Sequence, residues 1–226
     1  MAQHTDKQYE EELRELKEKI LEAGGTVEEM ITRAMRALTE RDSKMAEDVI
    51  KRDFVVNRLE LEIDDLCVKL LALRQPAASD LRFITIGLRA SKDLERMGDL
   101  AVNISEHALA LNKAPQLKPY ADLPQMAMKA QEMVKLSLDA FVKRDVAMAQ
   151  RVCEMDDEVD SYEHRIFSEL IDIMGKDAKA VERGTRLILV SQQLERIADH
   201  ATNIAEEVIF MVQGRDIRHR REMVEP

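Results

Sequence analysis

At 226 residues with a net charge of −10, the chain is long enough for one large domain or two of about a hundred residues, each able to bury a core. The acidic balance excludes an ordinary nucleic-acid binder, which needs a basic face to displace counterions from phosphates, and excludes holding free phosphate by side-chain charge alone; a cation or a basic protein partner fits it instead. With 35% charged and 4% aromatic residues, no Trp, thirteen Met and few Gly or Pro, the composition is that of long helices in bundles.

The first six residues lack the apolar core of a signal peptide. No run approaches the roughly 18 apolar residues of a membrane span. The expectation is a cytoplasmic protein with no transmembrane segment. Cys67 and Cys153 sit in apolar-periodic helices, form no CxxC and read as buried thiols.

A first helical region spans about Asp6 to Thr39, with Glu12, Glu15 and Glu18 alternating with Leu13, Leu16, Ile20 and Leu21. Gly24-Gly25 weakens it, and Thr26 with Glu29 forms a potential capping box, so the reading allows either a kink or a break. Arg41-Asp42-Ser43 is a turn and cap signal. A second helix runs to about Leu73 on the core stripe Val49, Val56, Leu59, Ile63, Leu66 and Leu70. Pro76 ends it, and Ser79 is the expected cap of a third helix reaching about Leu111.

Residues 113–124 hold three prolines and read as the linker between two domains, 1–112 and 125–214. A fourth helix runs to about Lys143. Arg144-Asp145 then repeats the Arg41-Asp42 turn. A fifth helix follows to about Met174, then a turn at Gly175-Lys176-Asp177 and a sixth helix from about Ala178 to Val212, capped by Gly214. Residues 215–226 form a basic tail read as solvated surface. The fold expected is all-α: two tandem, sequence-related antiparallel three-helix bundles, because short turns make successive helices antiparallel neighbours.

The strongest signal is internal. Leu94-Glu95-Arg96-Met97-Gly98-Asp99 and the residues through Glu106 return one hundred positions later as Leu194-Glu195-Arg196-Ile197-Ala198-Asp199 through Glu206. So long a period marks a duplicated domain rather than a solenoid. Leu94, Met97, Gly98, Ala101, Ile104, Ser105 and Ala108 form one helical face. Glu95, Asp99 and Asn103 line a strip beside it, as do Glu195, Asp199 and Asn203. Acids four apart cost a helix roughly 0.2–0.5 kcal/mol. No Lys or Arg follows Glu95 or Asp99 by three or four residues, so a cation is the simple neutraliser. The bland alternative is a solvated acidic strip.

The second helix adds Asp53, Asn57 and Glu60, and the fifth Asp156, Asp160 and Glu163, at an offset of 103. Rows converging between neighbouring helices would offer hard oxygen donors suited to Fe, Mn, Mg or Ca, with Zn possible. A di-iron oxidase would need Glu-x-x-His pairs, and no His has Glu three residues before it. Walker, dinucleotide-binding and nucleophile-elbow motifs are absent, so the chain does not read as an enzyme. The rival readings are a metal-dependent enzyme using these carboxylates and a metal-free acidic scaffold that binds a basic partner.

The duplicated ExxxD strips, the Asp53-x-x-Val56-Asn57-x-x-Glu60 row with its echo from Asp156 to Glu163, Arg74-Gln75-Pro76-Ala77-Ala78-Ser79-Asp80-Leu81-Arg82 and Gly214-Arg215-Asp216-Ile217-Arg218-His219 resemble the PhoU family over nearly the whole chain. The resemblance implies tandem three-helix bundles, cytoplasmic and often dimeric. It implies metal, whether iron, zinc, manganese or magnesium, with Glu95, Asp99, Glu195 and Asp199 as primary ligands and Asp53, Glu60, Asp156 and Glu163 next. Asn103 and Asn203 rank lower as weaker donors, and Asn57 opposite Asp160 makes the two sites unequal. It further implies negative regulation of the phosphate-starvation response, by an adaptor between the ATPase of the phosphate ABC transporter and a PhoR-type sensor histidine kinase. The adaptor would be peripheral to the inner membrane through these partners.

Overall fold

The computed structural model describes residues 7–214, and the expected basic tail lies outside the described residues. Six long helices and no strand are found among them. They are α1 (Lys7–Thr39), α2 (Ser43–Arg74), α3 (Ala78–Leu111), α4 (Asp122–Lys143), α5 (Val146–Lys176) and α6 (Val181–Gln213), with a 3-10 turn at Ala178–Ala180 before α6. Helices α1–α3 form one antiparallel unit and α4–α6 the other.

The turns follow their sequence signals. Arg41 and Arg144 both take the left-handed conformation, at φ 59° and 53°. Asp42 then caps α2 by accepting from the Met45 N–H, and Asp145 caps α5 by accepting from Ala147 and Met148. Gly214 closes α6 at φ 66°. Ser79 is not a cap: α3 starts at Ala78, after Ala77, with no side-chain cap. Helix α4 begins at Asp122, so Pro124 stands in its first turn, where a missing N–H leaves no bond unmade. Helix α5 continues through Gly175 to Lys176.

Helix α1 passes through Gly24-Gly25 unbroken, and Thr26 donates back to Glu22 O instead of starting a new helix. A Cβ on Gly24 would stand 2.1 Å from Leu138 Cδ1 of α4. The glycine is there so that the two units can approach. Gly25, on the outer side, meets nothing within 4 Å.

The expected core stripes of α2 and α3 are buried throughout. The buried cluster does not stop at the repeat boundary, because α1 packs on α4 and α3 on α6 in one continuous core. Phe83 of α3 stacks on Phe141 of α4 at 5.0 Å between ring centroids, and the Arg144 guanidinium lies over the Phe83 ring. Arg82 Nε donates to Met211 O at the end of α6. Cys67 is buried as expected, whereas Cys153 is only partly so.

Two details of α1 depart from the alternating pattern. Leu21 is exposed, and Glu12 is buried at 5% exposure. Arg74 reaches Glu12 with Nε at 2.9 Å and Nη2 at 3.1 Å, and Lys69 joins at 3.0 Å. The Arg74 hydrogen bonds, against the opposing effect of burial, hold the Glu12 carboxyl down at about 2. Beside it Tyr9 donates to Asp80 Oδ2 at 3.1 Å, and burial followed by the Asp80 charge pushes the phenol up to about 12. The Arg74-to-Arg82 segment is therefore a clamp, fastening the start of α1 and the end of α6 to one end of the molecule.

Candidate metal-binding carboxylate rows

Asp53 and Asn57 occupy the side of α2 that faces α3. Asn57 Nδ2 donates to Asp53 Oδ2 at 2.8 Å. Asp53 Oδ1, Asn57 Oδ1 and Glu95 Oε2 are buried without a hydrogen-bond partner. Burial raises the Asp53 pKa, the Asn57 amide opposes this, and the Asp99 charge across the helix pair adds to it. A Cβ at Gly98 would lie 3.4 Å from Asp53 Oδ1, an ordinary contact, and the second repeat carries Ala198 there.

In the second unit burial, then Asp199, Asp160 and Glu163 in order of effect, push Glu195 up to about 7. Asp199 is raised as well, by burial and by Asp160, although it is the most open member of the group. This is a larger accumulation of negative charge than in the first unit, where Asn57 replaces the acid found at Asp160. The expected inequality of the two rows thus has an electrostatic counterpart.

The remaining members make other contacts. Glu60 is buried and pairs with Lys92 of α3, whose charge also interacts with Glu95. Asp156 accepts from Thr202 Oγ1 of α6 at 3.4 Å. Asn103 donates to Gln193 Oε1 at 3.3 Å across the α3–α6 contact. Asn203 lines a shallow cleft between the same helices with Arg89, Asp93 and Glu207. The asparagines face the seam between the units, while the carboxylates face the seams within them.

Some counter-charge comes from inside the strip, which a search only three and four residues downstream misses. Arg96 Nε lies 3.6 Å from Glu95 Oε2 and its Nη1 3.7 Å from Asp99 Oδ2. Arg196 lowers both Glu195 and Asp199. At these distances and exposures the pairs are weak. Among the described residues no three His, Cys, Asp or Glu side chains converge closely enough to hold an ion as they stand. The donor set nevertheless fits a hard cation, with all-oxygen ligands, orphaned buried oxygens on Asp53 and Glu95, and a carboxyl on Glu195 destabilised by its neighbours.

The seam between units carries polar contacts that sequence periodicity did not reveal. His200 Nδ1 lies 2.8 Å from Asp93 Oδ1, and Arg89 Nη1 lies 2.7 Å from Glu207 Oε1. His200 has Leu100 as its repeat counterpart, and that asymmetry was the one available signal.

Comparison with known proteins agrees with this architecture. The PhoU domain matches twice, over residues 20–108 and 123–208. A phosphate-specific transport system accessory protein PhoU homolog of Clostridium acetobutylicum is 38% identical over 94% of this chain and 98% of its own. A protein of the same description from Pseudomonas aeruginosa is 38% identical over 97% of this chain and 91% of its own. The crystal structure of PhoU from Pseudomonas aeruginosa superimposes with a TM-score of 0.89, covering 92% of this chain and 100% of the other. That of the phosphate transport system regulatory protein PhoU from Streptococcus pneumoniae gives 0.85 at 31% identity, covering 92% and 99%. Two matched repeats, relatives over nearly full length and a shared six-helix architecture place this chain in the PhoU family.

Proposed function

We propose that this protein is a negative regulator of the phosphate-starvation response. It is a cytoplasmic adaptor that couples the ATPase subunit of the high-affinity phosphate ABC transporter to a PhoR-type sensor kinase. When phosphate is plentiful it restrains uptake, and it carries out no catalysis of its own. The observation that carries this reading is the near full-length agreement in sequence and fold with accessory proteins of the phosphate-specific transport system. No helix among the described residues is long and apolar enough to cross a membrane, so contact with the transporter runs through protein surfaces. Deleting the gene is expected to switch on phosphate-starvation transcripts in phosphate-rich medium, with repression restored by re-expression. Transcripts that stay repressed in the deletion strain would overturn the reading.

Within this role the carboxylate rows take a metal cation of the Fe, Mn, Zn or Mg group. Glu195, Asp199, Asp160 and Glu163 hold one ion, and Glu95, Asp99 and Asp53 a weaker one. A bound cation would neutralise the rows and draw α5 onto α6 and α2 onto α3. A second reading, a metal-free acidic scaffold docking a basic partner, is favoured by the unconverged carboxylates and by the Arg96 and Arg196 counter-charge. It predicts partner binding that weakens steeply with salt.

A further inference from the structure

The two carboxylate rows differ at a position that the fold leaves free. Lys92 of α3 stands three residues before Glu95, and its counterpart in the second repeat is Gln192. The Lys92 ammonium donates to Glu60 of α2, a carboxylate only 7% exposed. That hydrogen bond, opposed by burial and aided by the charges of Glu60, Glu95 and Asp64, raises the Lys92 pKa. One lysine therefore acts on row members of both helices of the α2–α3 seam. The fold does not require it, because α5 and α6 pack as the same kind of pair with Gln192 in its place.

In the second unit no lysine fills this place. Glu163, the counterpart of Glu60, makes its one ion-pair contact among the described residues with the exposed His164, 3.9 Å away. Its charge falls on Glu195, which Asp199 and Asp160 already crowd. Arg96 and Arg196 are common to both units and do not separate them. The first row thus sets Asp53, Glu60, Glu95 and Asp99 against Lys92 and Arg96. The second sets Asp156, Asp160, Glu163, Glu195 and Asp199 against Arg196, with His200 beside Asp199. An ammonium among carboxylates does what a bound cation does: it offsets their mutual repulsion, and it repels any further cation. We propose that Lys92 is the resident counter-cation of the first row, standing beside Glu60 where the second row takes a metal ion, and so decides which unit binds metal. This rests on the reading that the rows take a metal.

The experiment is a Mn2+ titration of the metal-stripped full chain, followed by the electron paramagnetic resonance of the free ion. E195Q/D199N isolates the first row, and E95Q/D99N the second. In E195Q/D199N, Lys92→Gln is expected to tighten Mn2+ binding about tenfold or more, because a divalent ion is repelled by an ammonium a few ångströms away even at the dielectric of water. Lys92→Arg, which keeps the charge, is expected to leave binding weak. In E95Q/D99N, Gln192→Lys is expected to weaken binding by a similar factor. A lysine that only packs would not move the two affinities in this reciprocal way. If E95Q/D99N takes up no Mn2+, the metal reading fails and this proposal with it. If E95Q/D99N binds, three results would overturn this proposal alone: K92Q leaves the first row as weak as before, K92R tightens it as K92Q does, or Q192K leaves the second row as tight. Should K92Q lose helicity, Q192K decides by itself.

Discussion

Gly24 and Gly25 are neighbours in sequence with opposite consequences. An alanine at Gly25 meets nothing and gains helix propensity, so Gly25→Ala is expected to stabilise by up to about 1 kcal/mol. At Gly24 the same propensity gain is outweighed by collision with buried Leu138, and Gly24→Ala is expected to lose roughly 1 kcal/mol net, relieved in combination with Leu138→Ala. Urea melts of the variants check both signs. Glu12 provides the pH test. Its carboxyl is held down at about 2, so its stabilisation is fully present above the ordinary carboxylate value near 4.5 and is lost as pH falls toward 2. Glu12→Gln should therefore be less stable than wild type by about 1.5–3 kcal/mol at pH 7, the range for a hydrogen bond to a charged group, and the gap should close by pH 2. A gap independent of pH would show that packing, not charge, explains Glu12.

Between elements, the decisive contacts are the α2–α3 and α5–α6 seams. Metal content separates the two readings of the acidic rows. Tag-free protein analysed by plasma mass spectrometry is expected to carry metal in stoichiometric amount, lost when Glu95, Asp99, Glu195 and Asp199 are all changed to Ala in a protein that stays helical. Less than about a tenth of an equivalent, with no uptake of added Fe, Mn or Zn, would favour the metal-free scaffold, since a hard all-oxygen site should load from solution. The unequal rows add a finer expectation. Changing Glu195 and Asp199 should remove more metal than changing Glu95 and Asp99, because the second unit gathers Asp160 and Glu163 on Glu195 while the first has Asn57.

On the scale of the whole molecule, the two repeats share one core. Helices α1 and α4 meet at Gly24 and Leu138, α3 and α6 meet along Arg89–Glu207 and Asp93–His200, and Arg82 crosses to the end of α6. A chain built this way is expected to unfold in a single transition seen alike by far-UV circular dichroism and calorimetry. Residues 113–214 expressed alone should aggregate or melt non-cooperatively, because the faces of α4 and α6 that pack on the first unit would be left in water. Two resolved transitions in the full chain would count against this coupling.

What the sequence determined by itself is local and periodic. The core stripes of α2 and α3 could be read because a 3.6-residue period needs no partner to be visible. The Arg-Asp turns and the Gly214 cap could be read because their chemistry is contained within a few residues. The duplicated carboxylate strips were legible for the same reason, and so was their inequality at Asn57 and Asp160. Tertiary structure alone decided the rest. Glu12 is buried because Arg74 arrives from 62 residues away, and Gly24 is a site of close approach, not a helix break, because Leu138 of α4 fills the space over it. Lys92 pairs with Glu60 of the neighbouring helix, and Asn103 and Asn203 turn to the seam between units, because the partner that wins is the one the helix packing brings nearest. A helical pattern fixes which residues share a face, but only the packing of one helix on another fixes what that face meets.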